Sequence, residues 1–404
     1  MTGAVRAEVA VIGLGAMGAA VLHQLARRGV RAVGIDRHAP PHAMGSSHGE
    51  TRITRVAVGE GGACVPFVTR SHAIWRELEA RTGETLLQQC GLLMMAPRGV
   101  RTGHHGKTDF LGRTVAVAER HGIAHERLDA AAIAARFSAF SLRGGEEGYF
   151  EPSGGFVHPE RCIAAQLRIA TADGASVLTG QRVLAVHQRS GSVQIDTDGG
   201  VVQADQAVVA AGAWAGGLLG GPFGGTLVPY RQVLHWVPVD DPAAYAPTRC
   251  PAYIWMHGTQ AEDYFYGFPA LPGAGEVKVA TEQYGAACDP DRVDRAVSAG
   301  EAAAMHAAHV AGRLRGAGPA PVRSAACLYT VTPDAGFVID RHPAQDRVVV
   351  VSACSGHGFK HSAGIGEAVA QLVCDGRSGV DLHPFRLARL LDEGSRATQG
   401  GLAA

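Results

Sequence analysis

Apolar and polar positions near the start of the chain predict a strand, a helix and a second strand. Residues 8–12 form a short apolar, β-branched run that is typical of a buried strand. Residues 19–28 have the spacing of a helix, and Gly29 follows as a stop signal. Residues 31–35 return to a strand pattern, which Asp36 closes. The order predicts a βαβ unit at the N-terminus.

A glycine fingerprint joins the first strand to the helix. Gly13 permits the tight turn, Gly15 lets backbone amides approach a pyrophosphate, and Gly18 lets the helix pack closely on the strand. The helix N-terminus stabilises the phosphate charge. Asp36 follows Gly18 at the distance where a carboxylate can accept a hydrogen bond from a ribose hydroxyl. The unit is predicted to bind a dinucleotide, and the fingerprint fits FAD and NAD equally.

Further strand patterns of the same kind lie far apart along the chain. Residues 207–214 and 347–352 are buried strands, and an amphipathic helix runs from 364 to 374. Residues 230–236 and 264–268 alternate like half-buried strands, and residues 291–315 are alanine-rich and predict a helix. The fold class is therefore α/β, with a discontinuous Rossmann-like domain at 1–85, 151–221 and 323–390, a second lobe at 86–150 and 222–322, and a tail at 391–404.

Composition narrows the classes of function. Lysine plus arginine equals aspartate plus glutamate, 37 each, so the charge balance predicts no nucleic-acid or membrane partner. The eight cysteines include no CxxC pair, which disfavours a zinc or iron–sulfur site. The apolar N-terminus lacks the basic region and cleavage site of a secretory signal, and no uninterrupted apolar run has the length of a membrane span. We expect a cytoplasmic protein.

Histidines give no metal signal. His357 and His361 have the i, i+4 spacing of a ligand pair, but no third ligand follows with suitable spacing, so no metal site is predicted. His104 and His105 lie in a polar stretch that predicts an exposed loop.

Several motifs together resemble the monomeric sarcosine oxidase and N-methyltryptophan oxidase family, within the D-amino-acid-oxidase-like flavoproteins. The resemblance covers nearly the whole chain and favours FAD over NAD. It implies a FAD-binding Rossmann-like domain with a second, antiparallel-sheet substrate lobe. The motifs that carry it, besides the fingerprint, are residues 45–55 (Gly-Ser-Ser-His-Gly-Glu-Thr-Arg-Ile-Thr-Arg), 229–233 (Pro-Tyr-Arg-Gln-Val), 266–269 (Tyr-Gly-Phe-Pro), 327–330 (Cys-Leu-Tyr-Thr) and 355–360 (Ser-Gly-His-Gly-Phe-Lys).

The resemblance implies a flavin that is bound covalently through Cys327. A cysteine sulfur can form a thioether at the C8 methyl group of the flavin, and the bond would tune the redox potential of the cofactor. Without the motif around it, Cys327 would be interpreted as a buried core residue. The residues that the resemblance assigns to cofactor binding are Gly13, Gly15, Met17, Gly18, Asp36, Arg37, Ser46, Thr51, Arg52, Val183, Ala211, Gly212, Trp214, Cys327, Gly356, Gly358, Phe359 and Lys360.

The resemblance also implies roles at the substrate. Arg52 would lie against the flavin, while Arg55 and Lys360 would bind a substrate carboxylate, a task that suits the guanidinium fork. Lys278, within an alternating strand, would supply the positive charge that helps oxygen accept electrons. His48 and Tyr329 fall in matched motifs and could contact flavin or substrate, and for His48 a structural role is an open alternative. Two positions depart from sarcosine oxidase: Glu282 replaces a histidine, and Phe265, before Tyr266, replaces a tyrosine.

The predicted reaction is oxidation of a secondary amine next to a carboxylate, with oxygen as acceptor and hydrogen peroxide as product. The departures place sarcosine itself in question, and Glu282 suggests a substrate with a second positive group or a bulkier amine. Three alternatives remain open at this stage: an oxidase of a cyclic imino acid resembling pipecolate, a dehydrogenase that passes electrons to a partner protein, and a non-catalytic flavin-binding subunit. Relatives in this branch are often monomers, so we expect a monomer.

Overall fold

The computed structural model describes residues 5–391. The predicted tail, residues 391–404, lies outside the described residues except for its first residue. The described strands are β1 (Val5–Ile12), β2 (Ala32–Asp36), β3 (Arg52–Thr54), β4 (Leu87–Gln88), β5 (Leu92–Pro97), β6 (Glu126–Asp129), β7 (Glu146–Glu151), β8 (Gly155–Val157), β9 (Ser176–Thr179), β10 (Val183–Arg189), β11 (Ser192–Thr197), β12 (Gly200–Val209), β13 (Val228–Pro238), β14 (Ala252–Met256), β15 (Tyr264–Gly267), β16 (Glu276–Ala280), β17 (Arg323–Val331), β18 (Val338–His342) and β19 (Gln345–Ser352).

Helices connect these strands and cover the first sheet. The α-helices are α1 (Ala16–Ala26), α2 (Val65–Thr82), α3 (Phe110–Arg120), α4 (Ala130–Arg136), α5 (Pro159–Ala172), α6 (Ala215–Leu219), α7 (Gly221–Thr226), α8 (Ala299–Met305) and α9 (Ser362–Asp375). Shorter 3-10 turns span Gly62–Cys64, Gly212–Trp214, Phe359–His361, His383–Phe385 and Leu387–Leu390, and a π-helical turn spans His306–Val310. No helix among residues 5–391 has the length and apolar character needed to cross a membrane.

The first large sheet forms the predicted Rossmann-like core. Its order is β10-β11-β12-β1-β2-β9, with β19 also paired to β12 and β18 to β19. The strands β9, β2, β1, β12 and β19 run parallel. Parallel strands are buried on both faces, which explains why the apolar runs at 8–12 and 347–352 are continuous rather than alternating. Helices α1, α2, α5 and α9 supply the residues that pack on this sheet.

The second large sheet has the order β17-β13-β16-β15-β14-β5-β7-β6. Its strands are antiparallel except for the pair β14 and β5, which is parallel. The aromatic and aliphatic residues on one face form a core of their own, around Tyr253, Trp255 and Phe265. A third sheet has three strands, in the order β3-β8-β4. These strands belong to the chain segments that connect the two larger sheets.

Two sequence-based boundaries need correction. The strand β17 pairs with β13 along its whole length, so residues 323–331 belong to the second sheet. The sequence-based boundary at 323 had assigned them to the first domain. The predicted helix at 291–315 is much shorter, since α8 begins at Ala299 and passes into the π-helical turn that ends at Val310. Alanine favours a helix. The segment Asp289–Arg295, however, forms hydrogen bonds from its side chains to the first domain, and helix propensity does not predict such bonds.

Candidate active site

The glycine fingerprint has the geometry that its spacing predicts. Gly13 has φ of +85°, and a Cβ atom on Gly18 would fall 1.7 Å from the carbonyl oxygen of Gly13, so only glycine lets α1 approach β1. Asp36, at the end of β2, accepts a hydrogen bond from the backbone amide of Leu14 at 2.7 Å. Burial opposes ionisation of Asp36, but bonds from His42 and from backbone amides lower its pKa below the ordinary value. A carboxylate is therefore available beside the fingerprint.

A cavity of about 600 Å³ extends from this fingerprint to β17. Its lining includes Asp36, which follows the fingerprint on β2, and also Arg52 and Tyr329. Four of the predicted cofactor residues, Gly18, Thr51, Cys327 and Lys360, lie outside the lining. The predicted cofactor residues that do line it are Gly13, Gly15, Met17, Asp36, Arg37, Ser46, Arg52, Val183, Ala211, Gly212, Trp214, Gly356, Gly358 and Phe359.

Arg52 and Lys278 converge on the backbone of the segment that precedes β3. The Arg52 guanidinium donates to the carbonyls of Ser46 at 2.7 Å and Thr51 at 2.9 Å. The Lys278 ammonium donates to the carbonyls of Gly49, at 2.7 Å, and Thr51. Burial and the neighbouring Arg52 cation lower the pKa of Lys278 well below its ordinary value. Lys278 therefore points into the protein and not to solvent.

Cys327 is buried on β17, on the same side of the strand as Tyr329. It packs with Leu234 and Trp236 in the cluster that also holds Tyr329. Burial raises the pKa of the Cys327 thiol, and the Arg52 cation opposes that rise. Two other cysteines, Cys288 and Cys354, line the large cavity. Neither was considered for the cofactor from the sequence.

His48 is buried close to the same cations. Burial lowers the pKa of His48 to about 3, and the Arg52 and Lys278 cations lower it in the same direction. The imidazole is therefore neutral at physiological pH. It lines neither cavity, which favours the structural alternative over contact with a ligand.

A smaller cavity, of about 60 Å³, adjoins the large one. The two cavities share four lining residues, Arg52, Tyr329, Gly356 and Phe359. A group in the small cavity can therefore touch a group at the β17 end of the large one. The remaining residues around the small cavity are Ile53, Arg55, His104, His105, Ile254, Tyr264, Tyr266, Glu282, His357 and Lys360.

Arg55 and Lys360 lie together at this smaller cavity, as the carboxylate clamp requires. Both side chains are buried, and both face Glu60, whose oxygens lie 2.9 Å from the Arg55 guanidinium and 3.8 Å from the Lys360 ammonium. Burial raises the pKa of Glu60, but the Arg55 and Lys360 cations outweigh it and hold that pKa well below its ordinary value. The Lys360 ammonium also donates to the carbonyl of His357 at 2.8 Å.

The aromatic side of the cavity differs from the prediction. Tyr266 lines the cavity, and its hydroxyl lies 3.3 Å from that of Tyr329. Phe265 does not line it, because alternate residues of β15 face opposite sides and Phe265 packs against Trp255 in the core of the second sheet. Tyr264 occupies the corresponding place in the cavity wall. The prediction that Phe265 contacts substrate is therefore wrong.

The histidine pair at 104 and 105 is buried, contrary to the predicted exposed loop. Glycines on either side form a tight turn that folds inward over the cavity. The Nδ1 atom of His105 lies 3.2 Å from Glu60, and its Nε2 atom lies 3.0 Å from Glu282. The second carboxylate oxygen of Glu282 accepts a hydrogen bond from the Tyr284 hydroxyl at 2.7 Å. Glu282 is thus at the cavity, as predicted, but with partners that the sequence did not indicate.

Comparison with known proteins agrees with this geometry. Residues 8–372 match the family model described as FAD dependent oxidoreductase. The chain belongs to this family of FAD-dependent oxidoreductases. It is 35% identical to a monomeric sarcosine oxidase from Bacillus sp. (strain NS-129), over 95% of this chain and 96% of that one. It is 32% identical to an N-methyl-L-tryptophan oxidase from Yersinia pestis (strain Pestoides F), over 95% and 99%.

Solved structures show the same fold for this FAD-dependent oxidoreductase. NikD, an unusual amino acid oxidase essential for nikkomycin biosynthesis, matches with a TM-score of 0.80 and 23% identity, over 95% of this chain and 97% of that one. An L-proline dehydrogenase from P. horikoshii matches with a TM-score of 0.77 and 19% identity, over 96% and 98%. The predicted fold class, with a Rossmann-like domain and a substrate lobe, is confirmed.

The residues of the large cavity suit FAD. The fingerprint brings the N-terminus of α1, an eleven-residue helix, to the cavity, where it can stabilise a pyrophosphate. The Asp36 carboxylate and the Arg52 guanidinium also line this cavity, which supplies an acceptor and a cation for a dinucleotide. The volume of about 600 Å³ lies within the range of cofactor cavities.

Sequence reasoning missed Glu60, His105, Tyr264 and the substrate-side position of His357. Glu60 follows Arg55 by five residues, and a lone acid after a pair of arginines could have indicated a buried ion pair. The glycines flanking His104 and His105 were the available signal for a tight, inward turn. Ligand-type atoms of Glu60, His105 and His357 lie within 4.8 Å of one another. The absence of a metal nevertheless stays our prediction, because the adjoining Arg55 and Lys360 cations oppose a further cation.

Proposed function

We propose that this protein oxidises a secondary amine next to a carboxylate, as in an N-methyl amino acid, with molecular oxygen as the acceptor. One observation carries the proposal: a cavity with Arg55 and Lys360 in its wall shares Arg52 and Tyr329 with the cavity that suits FAD. A substrate whose carboxylate binds Arg55 and Lys360 would then present its amine end toward the flavin.

Binding by the clamp requires a change of partner. One guanidinium nitrogen of Arg55, Nη2, donates to both carboxylate oxygens of Glu60, at 3.1 and 2.9 Å. A substrate carboxylate would share or replace this partner, since the guanidinium has five donors and uses one more on the carbonyl of Ala57. Lys360 offers a second cation at the same place. The clamp therefore recognises a carboxylate rather than a neutral amide.

The hydroxyls of two tyrosines in the wall of the small cavity, Tyr266 and Tyr329, orient the amine. Burial raises the pKa of Tyr266 and of Tyr329, so both remain neutral hydroxyls. A neutral hydroxyl can accept a hydrogen bond from the N–H of a secondary amine or donate one to its lone pair. The amine must be unprotonated, because its lone pair forms the imine. No described group at this wall is needed as a strong base.

FAD held by these residues would supply the two-electron redox chemistry that converts the amine to an imine and oxygen to hydrogen peroxide. In the reaction of reduced flavin with oxygen, the chain would contribute Lys278, whose buried ammonium would stabilise negative charge that develops on oxygen. Arg52 adds a second, partly buried cation near Lys278.

We propose covalent attachment of the flavin through Cys327. The thioether would replace one S–H and one C–H bond, a two-electron oxidation whose acceptor is oxygen. Support comes from the position of Cys327 beside Tyr329, which lines the flavin cavity. A cytoplasmic location and a monomeric state stay predictions from the sequence.

The test is peroxide release by the purified flavoprotein against a panel of amines. The panel holds sarcosine, N-methyl amino acids with larger side chains, proline, pipecolate, and primary D- and L-amino acids. We expect turnover with N-methyl amino acids. Turnover with proline or pipecolate alone would identify a cyclic imino acid oxidase. A flavin that is reduced by substrate without oxygen, but reacts with oxygen no faster than free flavin, would indicate a dehydrogenase. A flavin that stays oxidised with every compound would overturn the proposal.

A further inference from the structure

The turn that carries His105 closes one wall of the small cavity. A backbone bridge between His104 and Lys107 holds the turn, and His105 adopts φ of +50°, which is uncommon for a residue with a side chain. The His104 ring packs at 3.8 Å on the His105 ring and edge-on against Phe110. This packing holds His105 inward, between the two carboxylates.

The cluster around His105 has an excess of one positive charge. Arg55, Lys360 and His105 are the cations, and Glu60 and Glu282 are the carboxylates. Burial lowers the pKa of His105, but the charge and hydrogen bond of Glu282, with a further bond to Glu60, raise it to about 9. His105 is therefore an imidazolium at physiological pH. Without it, the two remaining cations would only balance the two carboxylates, and a bound substrate carboxylate would be left in excess.

The other titratable groups that face the cluster do not supply this charge. Burial lowers the pKa of His104 well below its ordinary value, and burial lowers that of His357 to about 3. Burial raises the pKa values of Tyr264 and Tyr284 well above the ordinary value, so both are neutral. Arg52 also lines the cavity and keeps its charge, but its guanidinium is bonded to the carbonyls of Ser46 and Thr51 and takes no part in the ion pairs of the cluster.

We propose that His105 is a specificity-determining residue, which pairs with Glu282 so that the cavity accepts a small α-amino carboxylate with an uncharged side chain. The proposal rests on the proposed function and replaces the expectation that Glu282 receives a second positive group of the substrate. Glu282 already has two partners, His105 and Tyr284. A cationic side chain would have to displace a buried imidazolium, which makes a cationic substrate the poorer one.

The size of the cavity agrees with this assignment. Its volume is about 60 Å³, and Ile254 and Tyr264 close it beside His105. Gly356 contributes backbone only, and a Cβ atom there would meet Glu282 at 2.5 Å and His105 at 3.0 Å. The pair of His105 and Glu282 therefore forms one side of the space left for the substrate side chain.

The test uses the flavin-loaded enzyme and three variants, H105N, E282Q and the double variant. The first readout is the affinity for propionate, a carboxylate without an amine, measured from the change in flavin absorbance. We expect H105N to bind propionate roughly tenfold or more weakly, because a buried positive charge is lost. E282Q should bind it at least as tightly as the wild type, and the double variant should return to within about threefold because the charge difference is restored.

The second readout is the ratio of kcat/KM for a substrate with a cationic side chain, Nα-methylornithine, to that for sarcosine. H105N leaves Glu282 without its cation, so we expect this ratio to rise roughly tenfold or more. In the double variant this ratio should return to the wild-type value, because the unpaired carboxylate is gone. H187N is the matched control and should change neither readout, since His187 is an exposed histidine on the edge strand β10, beside Asp196 on the neighbouring strand β11. Flavin content and thermal unfolding establish that each variant is folded, and H105Q substitutes if H105N is not.

Three outcomes are decisive. Folded H105N with unchanged propionate affinity and an unchanged substrate ratio would overturn the proposal. A double variant as weak as H105N would show that His105 acts through packing and not through charge, which also overturns it. If the wild type oxidises no N-methyl amino acid, the proposed function fails, and the propionate series still decides whether His105 sets the charge of the cavity.

Discussion

The Nζ atom of Lys360 lies 3.8 Å from Oε1 of Glu60, and both side chains are buried. Burial lowers the pKa of Lys360 to about 8, although the Glu60 carboxylate acts to raise it. The chain contains three lysines, and two of them, Lys278 and Lys360, are buried at the site. The structure thus places a cation that titrates near physiological pH at the carboxylate clamp.

Carboxylate binding should weaken as the pH rises through about 8. Below that value Lys360 is protonated and attracts the ligand, and above it the ammonium becomes a neutral amine. The measurement is the Kd of propionate between pH 6 and 9.5, followed by flavin absorbance. His105 loses its charge only near pH 9, so the first step belongs to Lys360. In K360R, whose guanidinium stays charged, that first step should vanish, and a step that persists there would assign it to another group.

Replacement of Lys278 by methionine should slow the reaction of reduced flavin with oxygen. Removing the buried ammonium leaves developing negative charge on oxygen without its nearest lysine, and we expect a fall of about a hundredfold or more in that rate. Stopped-flow reoxidation of photoreduced enzyme measures it. The rate of flavin reduction by substrate under anaerobic conditions is the internal control. Equal losses in both rates would indicate a general disturbance of the site.

Replacement of Cys327 by serine should release the flavin when the protein is denatured in acid. The wild type should keep its yellow colour in the precipitate, with a mass increased by one flavin nucleotide. The matched variant is C354S, which removes a sulfur that lines the flavin cavity. It should retain the attached flavin. The reverse result, with attachment lost only in C354S, would move the bond to Cys354.

Replacement of Gly356 by alanine should destabilise the protein and disturb the pair of His105 and Glu282. Gly356 has φ of +81°, and its Cβ would meet the Glu282 oxygen at 2.5 Å. The backbone conformation costs about 1 kcal/mol and the clash roughly 1–3 kcal/mol more. Gly273 has φ of +80° and open space around its Cβ position, so G273A carries the backbone cost alone. Chemical unfolding measures the unfolding free energy of the two variants. Equal losses of stability would show that His105 and Glu282 move aside for the new Cβ atom without a free-energy cost.

Local pattern was enough to predict part of the site. The spacing of the fingerprint and of the acid at the end of β2 predicts the nucleotide side, whereas the positions of Arg55, Lys278 and Lys360 at the site were implied by the family resemblance. The domain boundary at 323 was wrong because residues on β17 continue an apolar pattern that either sheet could accept, and only pairing with β13 decides between them.

The sequence by itself determined the βαβ unit, the α/β class and, through resemblance, the choice of FAD, because those depend on local periodicity and on short motifs. Only the tertiary structure decided that Phe265 faces the core and Tyr264 the cavity, since the face of a strand is set by the sheet around it. The same holds for His105, which lies 177 residues from Glu282 along the chain and yet contacts it. Long-range contacts of this kind follow from how distant segments of the chain pack together within the second lobe, which no local window of sequence contains.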